Sequence, residues 1–362
     1  MDALERILTR ERLEEADLVT LLSLEEPGDL QRLYEAAYAV KVREVGRVVY
    51  LRGLVEVTNV CSRDCLYCGI RRSNDEVERY LIDADEVLAA ARWGWDQGFG
   101  SAVLQGGERT DPRFVAYIEE IVRAMQGFGA GGIGVTLSLG EQTEATYRRW
   151  HAAGAQRYLL RIETTNRELF AAIHADDQSF DERLDCLASL RACGYQVGTG
   201  VMIGLPGQTA ADLARDIIFM RDQDIDMVGM GPFIPHQDTP MADSLGPFAA
   251  VRERQLELGL TMIACTRLAL RDVNIASTTA LQALGPDGRE RGLLAGANIL
   301  MPNLTHTRFR RGYQLYDGKP GLDEGSEAST RALERSVAAI GETVGYRELG
   351  TSPHFTRRTS AP

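Results

Sequence analysis

Between residues 48 and 301 the chain repeats one pattern: a short apolar run of strand length, then an amphipathic stretch of helix length. The apolar runs are 48–60, 101–105, 134–139, 157–162, 196–205, 226–234, 274–281 and 297–301. Helix-length stretches at 83–98, 112–126, 143–153, 181–193, 209–223 and 251–270 separate most of them, and the short one after the seventh run opens on Gly285-Pro286-Asp287-Gly288. Strands joined by helix-long crossovers pair in parallel. Eight such units are the number that closes a barrel. The expected fold is therefore α/β, a (β/α)8 TIM-type barrel over 48–303, closed or nearly closed; an open doubly wound sheet is the alternative. Residues 1–47 read as an N-terminal helical segment, broken at Pro27-Gly28-Asp29, with Asp29 expected to cap a second helix. Residues 304–345 read as a C-terminal helical extension capping the barrel. The polar stretch 346–362, with Pro353 and Pro362, reads as a flexible tail.

With 44% hydrophobic and 25% charged residues in a chain of 362, a large core is available. Acidic side chains outnumber basic ones, 52 to 40, for a net charge of −12, which argues against nucleic acid as the partner. No apolar run is long enough for a membrane span. The charged start, MDALERILTRERLEEADL, is unlike a signal peptide, and six cysteines are too few for a secreted disulfide scaffold. The expectation is a cytoplasmic protein.

The chemistry begins at Cys61-Ser-Arg-Asp-Cys65-Leu-Tyr-Cys68, directly after the first strand. Three thiolates this close select zinc or an iron–sulfur cluster. A closed zinc site wants a fourth ligand, and no further Cys or His lies nearby. Cys186, Cys193 and Cys265 fall in expected helices; the first two stand about 10 Å apart along one helix and read as buried apolar residues. Three ligands on a four-iron cluster leave one iron open for a chelating molecule. Cysteines spaced CxxxCxxC, with the aromatic Tyr67 before the last, resemble the radical S-adenosylmethionine superfamily. That resemblance implies a 4Fe–4S cluster held by Cys61, Cys65 and Cys68. It also implies that S-adenosylmethionine is chelated at the open iron and cleaved to a 5′-deoxyadenosyl radical.

Barrel enzymes build their sites at the C-terminal ends of the strands. The second strand ends in Gln105-Gly106-Gly107-Glu108, similar to the superfamily motif whose main chain holds the cofactor's amine. In the fourth run Arg157, Arg161 and Glu163 alternate with apolar residues, so they share a face and need partners or a ligand. Arg183, on the following helix, would reach the cofactor carboxylate; a solvated helix face is the competing reading. The fifth run passes through Met202 towards Gly204-Leu-Pro206-Gly207-Gln208, a backbone suited to an adenine edge, with Thr209 as a helix cap. Ser277, Thr278, Thr279 and Asn303 end the last two strands, and Tyr313 and Tyr316 lie just beyond.

Within the superfamily the chain resembles the HydE family, maturases of iron-only hydrogenase, from about Gly53 to Tyr316. The resemblance rests on TNVCSRDCLYCGIRRSN, GVTLSLGE, RYLLRIET, GLPGQT, DMVGMGPFIPHQDTP, ASTTA, GANILMPN and YQLYDGK. It implies a radical acting on the sulfur of a cysteine-derived, iron-linked substrate during assembly of the hydrogenase two-iron subcluster. Arg161, Thr278 and Tyr316 would contact that substrate; Tyr67, Gly106, Gly107, Glu108, Glu163, Arg183 and Met202 would contact the cofactor. Other hydrogenase maturases and an electron donor such as ferredoxin or flavodoxin are the implied partners. The chain departs from some members at Gly106 (a serine there) and at Ile162 (a histidine there), two differences that point to a shifted substrate as an option; it also has no cysteine after Cys265, where some members hold a second cluster that is not general in the family. Biotin synthase shares the plan, but its second cluster needs cysteines on strands that carry none here. Methylornithine synthase, a lysine mutase on the same scaffold, is the alternative enzyme, and a carrier of clusters the non-enzymatic alternative.

Overall fold

The computed structural model describes residues 2–129 and 131–360. Its strands are β1 (Val48–Thr58), β2 (Ser101–Gly106), β3 (Gly134–Ser138), β4 (Ala155–Leu159), β5 (Gln196–Thr199), β6 (Met202–Ile203), β7 (Met227–Val228), β8 (Gly231–Pro232), β9 (Asn274–Ile275), β10 (Ile299–Leu300) and β11 (Thr343–Val344). Eight of them pair in parallel in the order β10-β1-β2-β3-β4-β5-β7-β9. The ring closes where Ala276 bridges Ile299, with Asn298 N donating to Ile275 O at 2.9 Å and Ser277 N to Ile299 O at 2.9 Å. The barrel is thus closed, as the count of eight units predicts. Its strands are apolar on both faces because side chains fill the interior and helices cover the outside.

Three runs are not the continuous strands expected from their apolar length. The fifth and sixth each fold as two short strands, β5 and β6, β7 and β8, with the second pieces paired in a separate two-stranded sheet. The break comes where Gly200 presses on Gly229: a Cβ on Gly200 would overlap the Gly229 carbonyl. The seventh run is strand only at Asn274–Ile275; from Thr279 it turns into a helix.

The outer helices are α1 (Ala3–Leu8), α2 (Glu15–Leu22), α3 (Pro27–Glu44), α4 (Ala84–Asp96), α5 (Pro112–Met125), α6 (Glu144–Ala153), α7 (Arg167–Ile173), α8 (Phe180–Ala192), α9 (Ala210–Asp222), α10 (Phe248–Leu270), α11 (Thr279–Leu284), α12 (Gly288–Leu294), α13 (Thr307–Arg310), α14 (Ser326–Ala339) and α15 (Pro353–Ser360). None is long and apolar enough to cross a membrane. The N-terminal helices α2 and α3 pack on α9 and α10. Asp29 does not cap α3: Pro27 occupies the first turn, Glu26 precedes it, and Asp29 pairs with Arg32 at 3.2 Å.

Residues 346–360 are not a loose tail. The stretch 347–352 crosses the N-terminal end of the barrel, where the Leu349 carbonyl accepts from Arg157 Nη2 (2.6 Å) and the Gly350 carbonyl from Arg52 Nη2 (3.2 Å) and Asn274 Nδ2 (2.8 Å). α15 then docks through His354, between Asp272 (3.1 Å) and Asp224 (2.7 Å). Pro362 lies outside the described residues. The 304–345 extension serves both ends: 312–319 lies over the C-terminal mouth, while β11 runs parallel to the start of β1.

Candidate active site

The cysteine loop leaves β1 at the barrel mouth and is fixed mainly by side chains donating to main-chain carbonyls. Asn59 Nδ2 donates to Gly312 O (2.7 Å) and Glu78 O (2.8 Å). Arg79 holds the loop from beneath, reaching Asn59 O (2.7 Å), Ile70 O (2.8 Å) and Arg71 O (2.6 Å). Asp64 accepts from Arg71 (2.9 Å) and from Ser73 N (3.0 Å).

Cys61, Cys65 and Cys68 are half-buried and free of disulfides. Cys61 Sγ accepts from the backbone N–H of Arg63 (3.4 Å) and of Glu108 (3.3 Å). Burial pushes all three thiols up, Cys65 to about 11, and for Cys68 the neighbouring Cys65 and Cys61 add to the push. Three thiolates gathered here therefore need a cationic centre among them. Among the described residues no three His, Cys, Asp or Glu side chains close on a single-ion position. Sulfurs that each bind a different iron stand further apart than ligands of one zinc.

The β2 end abuts this loop. Gly107 N donates to Thr58 O at 3.0 Å, and a Cβ there would overlap the Val60 carbonyl and Cys61 Cβ, so only glycine lets the two segments meet. Gly106 ends β2, where an added Cβ would stand 3.0 Å from Thr58 Cγ2 and 3.2 Å from Val57 Cγ2. The Glu108 side chain is engaged elsewhere. It pairs with Arg63 and accepts from Glu141 N at 2.8 Å, while Glu141 takes Arg63 Nη2 (2.7 Å) and Arg183 Nε. Arg183 is buried rather than on a solvated face; its Nη1 donates to the Arg161 carbonyl. The coulombic pull of Glu141 raises its already high basicity against the opposing effect of burial, which is the larger single influence on it. Three ion pairs, Glu108–Arg63–Glu141–Arg183 in a chain, thus tie the cysteine loop to β2, β3 and α8. Arg63 and Glu141 carry this network. Their signal was present, a charge inside the cysteine motif and another at a strand end, but nothing local pairs them.

Strand four does not continue as a regular strand to Glu163. It frays after Leu159, which separates Arg157, at the barrel floor, from Arg161 and Glu163 at the mouth. Glu163 adopts φ 67°, unusual for a residue with a side chain, and bridges to Val201; its N donates to Gly200 O (3.1 Å) and its O accepts from Met202 N (2.8 Å). Arg161 Nη2 and Glu163 Oε2 stand 2.8 Å apart but poorly aligned, so both, and Arg161 Nε, are buried without a hydrogen-bond partner. Thr278 occupies the cap position of α11 without capping it, and its Oγ1 is also buried and unpartnered. Tyr316 OH contacts Thr279 Oγ1 at 3.0 Å. Burial drives Tyr316 up to about 12 and pushes Tyr67 well up as well, with the Arg161 charge opposing both shifts.

Met202 does not offer a free main chain: its N–H goes to Glu163 and its carbonyl accepts from Gln208 Nε2 at 3.1 Å. What it presents is its side chain, in an apolar cluster with Ile173, Leu205, Phe233 and Met241 against which Tyr67 packs. Thr209 caps α9 as expected, in a capping box with Asp212. His174 was not anticipated; its edge meets Tyr67 at 5.7 Å between centroids, and Leu66 N donates to the adjoining Ile173 O at 2.9 Å. The mouth is covered by Leu315, whose carbonyl accepts from Gly69 N (3.1 Å), and by Lys319, which pairs with the buried Glu56 of β1.

Comparison with known proteins agrees with this geometry. Residues 55–220 match the radical SAM superfamily. The [FeFe] hydrogenase maturase subunit HydE of Thermotoga maritima is 41% identical over 94% of this chain and 93% of its own. The chain belongs to the HydE family. A 3-methylornithine synthase of Methanosarcina acetivorans is 27% identical over 86% of each chain. Among solved structures, methylornithine synthase (PylB) covers 96% of this chain with a TM-score of 0.78 at 24% identity. HydG from Carboxydothermus hydrogenoformans covers 95% with a TM-score of 0.76 at 19% identity. At those identities the likeness is one of fold. HydE proteins, as radical SAM enzymes, use a 4Fe–4S cluster and S-adenosylmethionine. The three crowded, desolvated thiols and the two main-chain donors on Cys61 fit that cluster.

Proposed function

We propose that this HydE-family enzyme cleaves S-adenosylmethionine reductively and acts on a cysteine-derived, iron-linked sulfur substrate during [FeFe]-hydrogenase active-site assembly. When bound, the cluster and S-adenosylmethionine supply a 5′-deoxyadenosyl radical. Cys61, Cys65 and Cys68 hold the cluster, and Arg63, Glu141 and Arg183 hold the loop that carries them. Glu163, Arg183 and the main chain at Gly106, Gly107 and Glu108 face the cofactor, with Tyr67 and Met202 as its apolar wall. Arg161 anchors the substrate carboxylate as a fork of donors, and Thr278 and Tyr316 complete the polar lining. The 312–319 segment, pinned by Lys319 to Glu56, keeps water out.

The observation that carries the substrate reading is the set of buried polar atoms without a hydrogen bond, Arg161 Nε and Thr278 Oγ1, with Arg161 Nη2 beside Glu163 only as a misaligned ion pair. Buried donors and acceptors of this kind cost free energy unless they are hydrogen-bonded, and a polar substrate supplies the missing bonds. Other hydrogenase maturases as partners and a ferredoxin or flavodoxin as electron donor belong to the same reading.

The test is anaerobic turnover of the reduced enzyme. Incubation with S-adenosylmethionine yields 5′-deoxyadenosine, which a mere cluster carrier would not form. Adding a cysteine-based iron complex or a thiazolidine analogue gives adenosyl–sulfur adducts. Conversion of lysine to methylornithine, with no sulfur adduct, would overturn the proposal in favour of the mutase.

A further inference from the structure

Among the described residues, Cys65 is the one cysteine of the loop whose sulfur meets a side chain, Gln178, at 3.4 Å from Sγ to Oε1. Gln178 lies between α7 and α8, and its Nε2 is buried with no hydrogen-bond partner. The segment around it is tied to the cysteine loop twice more: Asp177 O accepts from Arg63 Nη1 (3.3 Å) and Ile173 O from Leu66 N (2.9 Å). The amide is thus held against the sulfur by independent contacts.

The protonation state of Cys65 decides which end of the amide the sulfur wants. A thiol donates, and Oε1 accepts from it. A cysteine bound to iron is a thiolate and only accepts. Oε1 would then face a second acceptor while the donor, Nε2, stays unused. A half-turn of the amide removes both faults, and oxygen and nitrogen exchange places at almost no steric change. Cys61 is already served by the main-chain N–H groups of Arg63 and Glu108. Cys65 is served by a side chain that substitution can remove.

We propose that Gln178 is a positioning residue that donates an N–H···S hydrogen bond to iron-bound Cys65 and so raises the reduction potential of the cluster. A donor on a ligating sulfur draws negative charge off the cluster and favours its reduced form. This rests on the cysteine loop being the cluster site, not on the identity of the substrate.

The experiment uses the full chain, reconstituted anaerobically, with Gln178→Met (similar length, no donor) and Gln178→Glu (same shape, donor replaced by an acceptor). Iron content is measured first, then the midpoint potential by a redox titration read by electron paramagnetic resonance, without substrate. Both variants are expected to hold as much iron as the unmodified enzyme. The midpoint should fall in Gln178→Met and fall further in Gln178→Glu. A purely structural role would lower iron content or stability without that ordered shift. Equal midpoints at equal iron content, or a rise in Gln178→Met, would overturn the proposal; if Gln178→Met does not retain iron, Gln178→Glu decides alone. An unmodified enzyme that took up no iron would sink the cluster reading as well.

Discussion

Six cysteines divide by what surrounds their sulfurs. Cys265 is enclosed in α10 and burial pushes its thiol far up; Cys186 contacts Gln142 O at 3.7 Å and Cys193 contacts Glu144 O at 3.9 Å. In both the thiol meets a main-chain carbonyl rather than another cysteine. Alanine at any of the three should leave iron content unchanged, whereas Cys61→Ala, Cys65→Ala or Cys68→Ala should abolish reconstitution; iron analysis with the visible absorbance of the cluster checks both. Arg161 makes the opposite kind of prediction, since it carries substrate rather than iron. Losing a charge-assisted fork costs about 2–3 kcal/mol, so Arg161→Ala should lower substrate-dependent turnover by about 10²-fold. It should leave slow, uncoupled formation of 5′-deoxyadenosine. Arg161→Lys should not restore coupling, because a point charge lacks the fork. Arg161 and Glu163 were legible as charges on an apolar strand. The turn that aims them was not, because a left-handed φ at a glutamate leaves no mark in one sequence.

Above β4 the chain is aimed by α9. Asp216 accepts from Thr165 N (2.7 Å) and Thr165 Oγ1 (2.6 Å), and Asp212 accepts from Asn166 Nδ2 (2.9 Å), so one helix fixes Thr165 and Asn166 just beyond Glu163. Burial raises Asp216 from 3.8 to about 6. The folded state therefore keeps a proton through a window where the unfolded chain has lost it. The stability this gives is present below the ordinary carboxyl range and is lost as pH rises through about 6. Denaturant midpoints should show a falling contribution on the order of 1–3 kcal/mol across that window. Asp216→Asn should flatten it, and an unchanged slope would show that Asp216 ionises normally. Elements of this kind were only partly readable. The helices between strands came out within a few residues because amphipathic period and caps are local. The splitting of the fifth and sixth strands depends on Gly200 meeting Gly229, a contact between segments far apart in sequence, and the turn at Thr278 opens α11 without the side-chain cap that would mark it.

The whole molecule is a barrel shut at both ends by its own C-terminal third. The eight-unit count made the closed ring legible, and the tyrosine-bearing cap over the mouth followed from its place after the last strand. The floor did not, because 346–360 reads as polar and proline-containing, the signature of a free tail. Those polar groups are spent inward. Arg52 and Arg157 are buried in the barrel with no carboxylate within ion-pair distance among the described residues, and burial holds Arg157 down to about 10. The tail supplies carbonyls at Leu349 and Gly350 in place of water. Displacing it would leave two buried guanidinium groups under-satisfied, at a cost of about 2 kcal/mol or more. Deleting 346–362 is one way to do so. Gly100→Ala is the sharper one, because the new Cβ would overlap the Glu348 carbonyl and push the tail off while leaving every bonding group of the tail in the chain. Thermal unfolding should move several degrees lower in Gly100→Ala, and limited proteolysis should cut within 346–360 at a protease level that spares the unmodified chain. Iron content should be retained, since the cysteine loop sits at the opposite end of the barrel. A variant with unchanged melting and unchanged proteolysis would show that the tail bears no load, and that the arginines of the floor are satisfied by water instead.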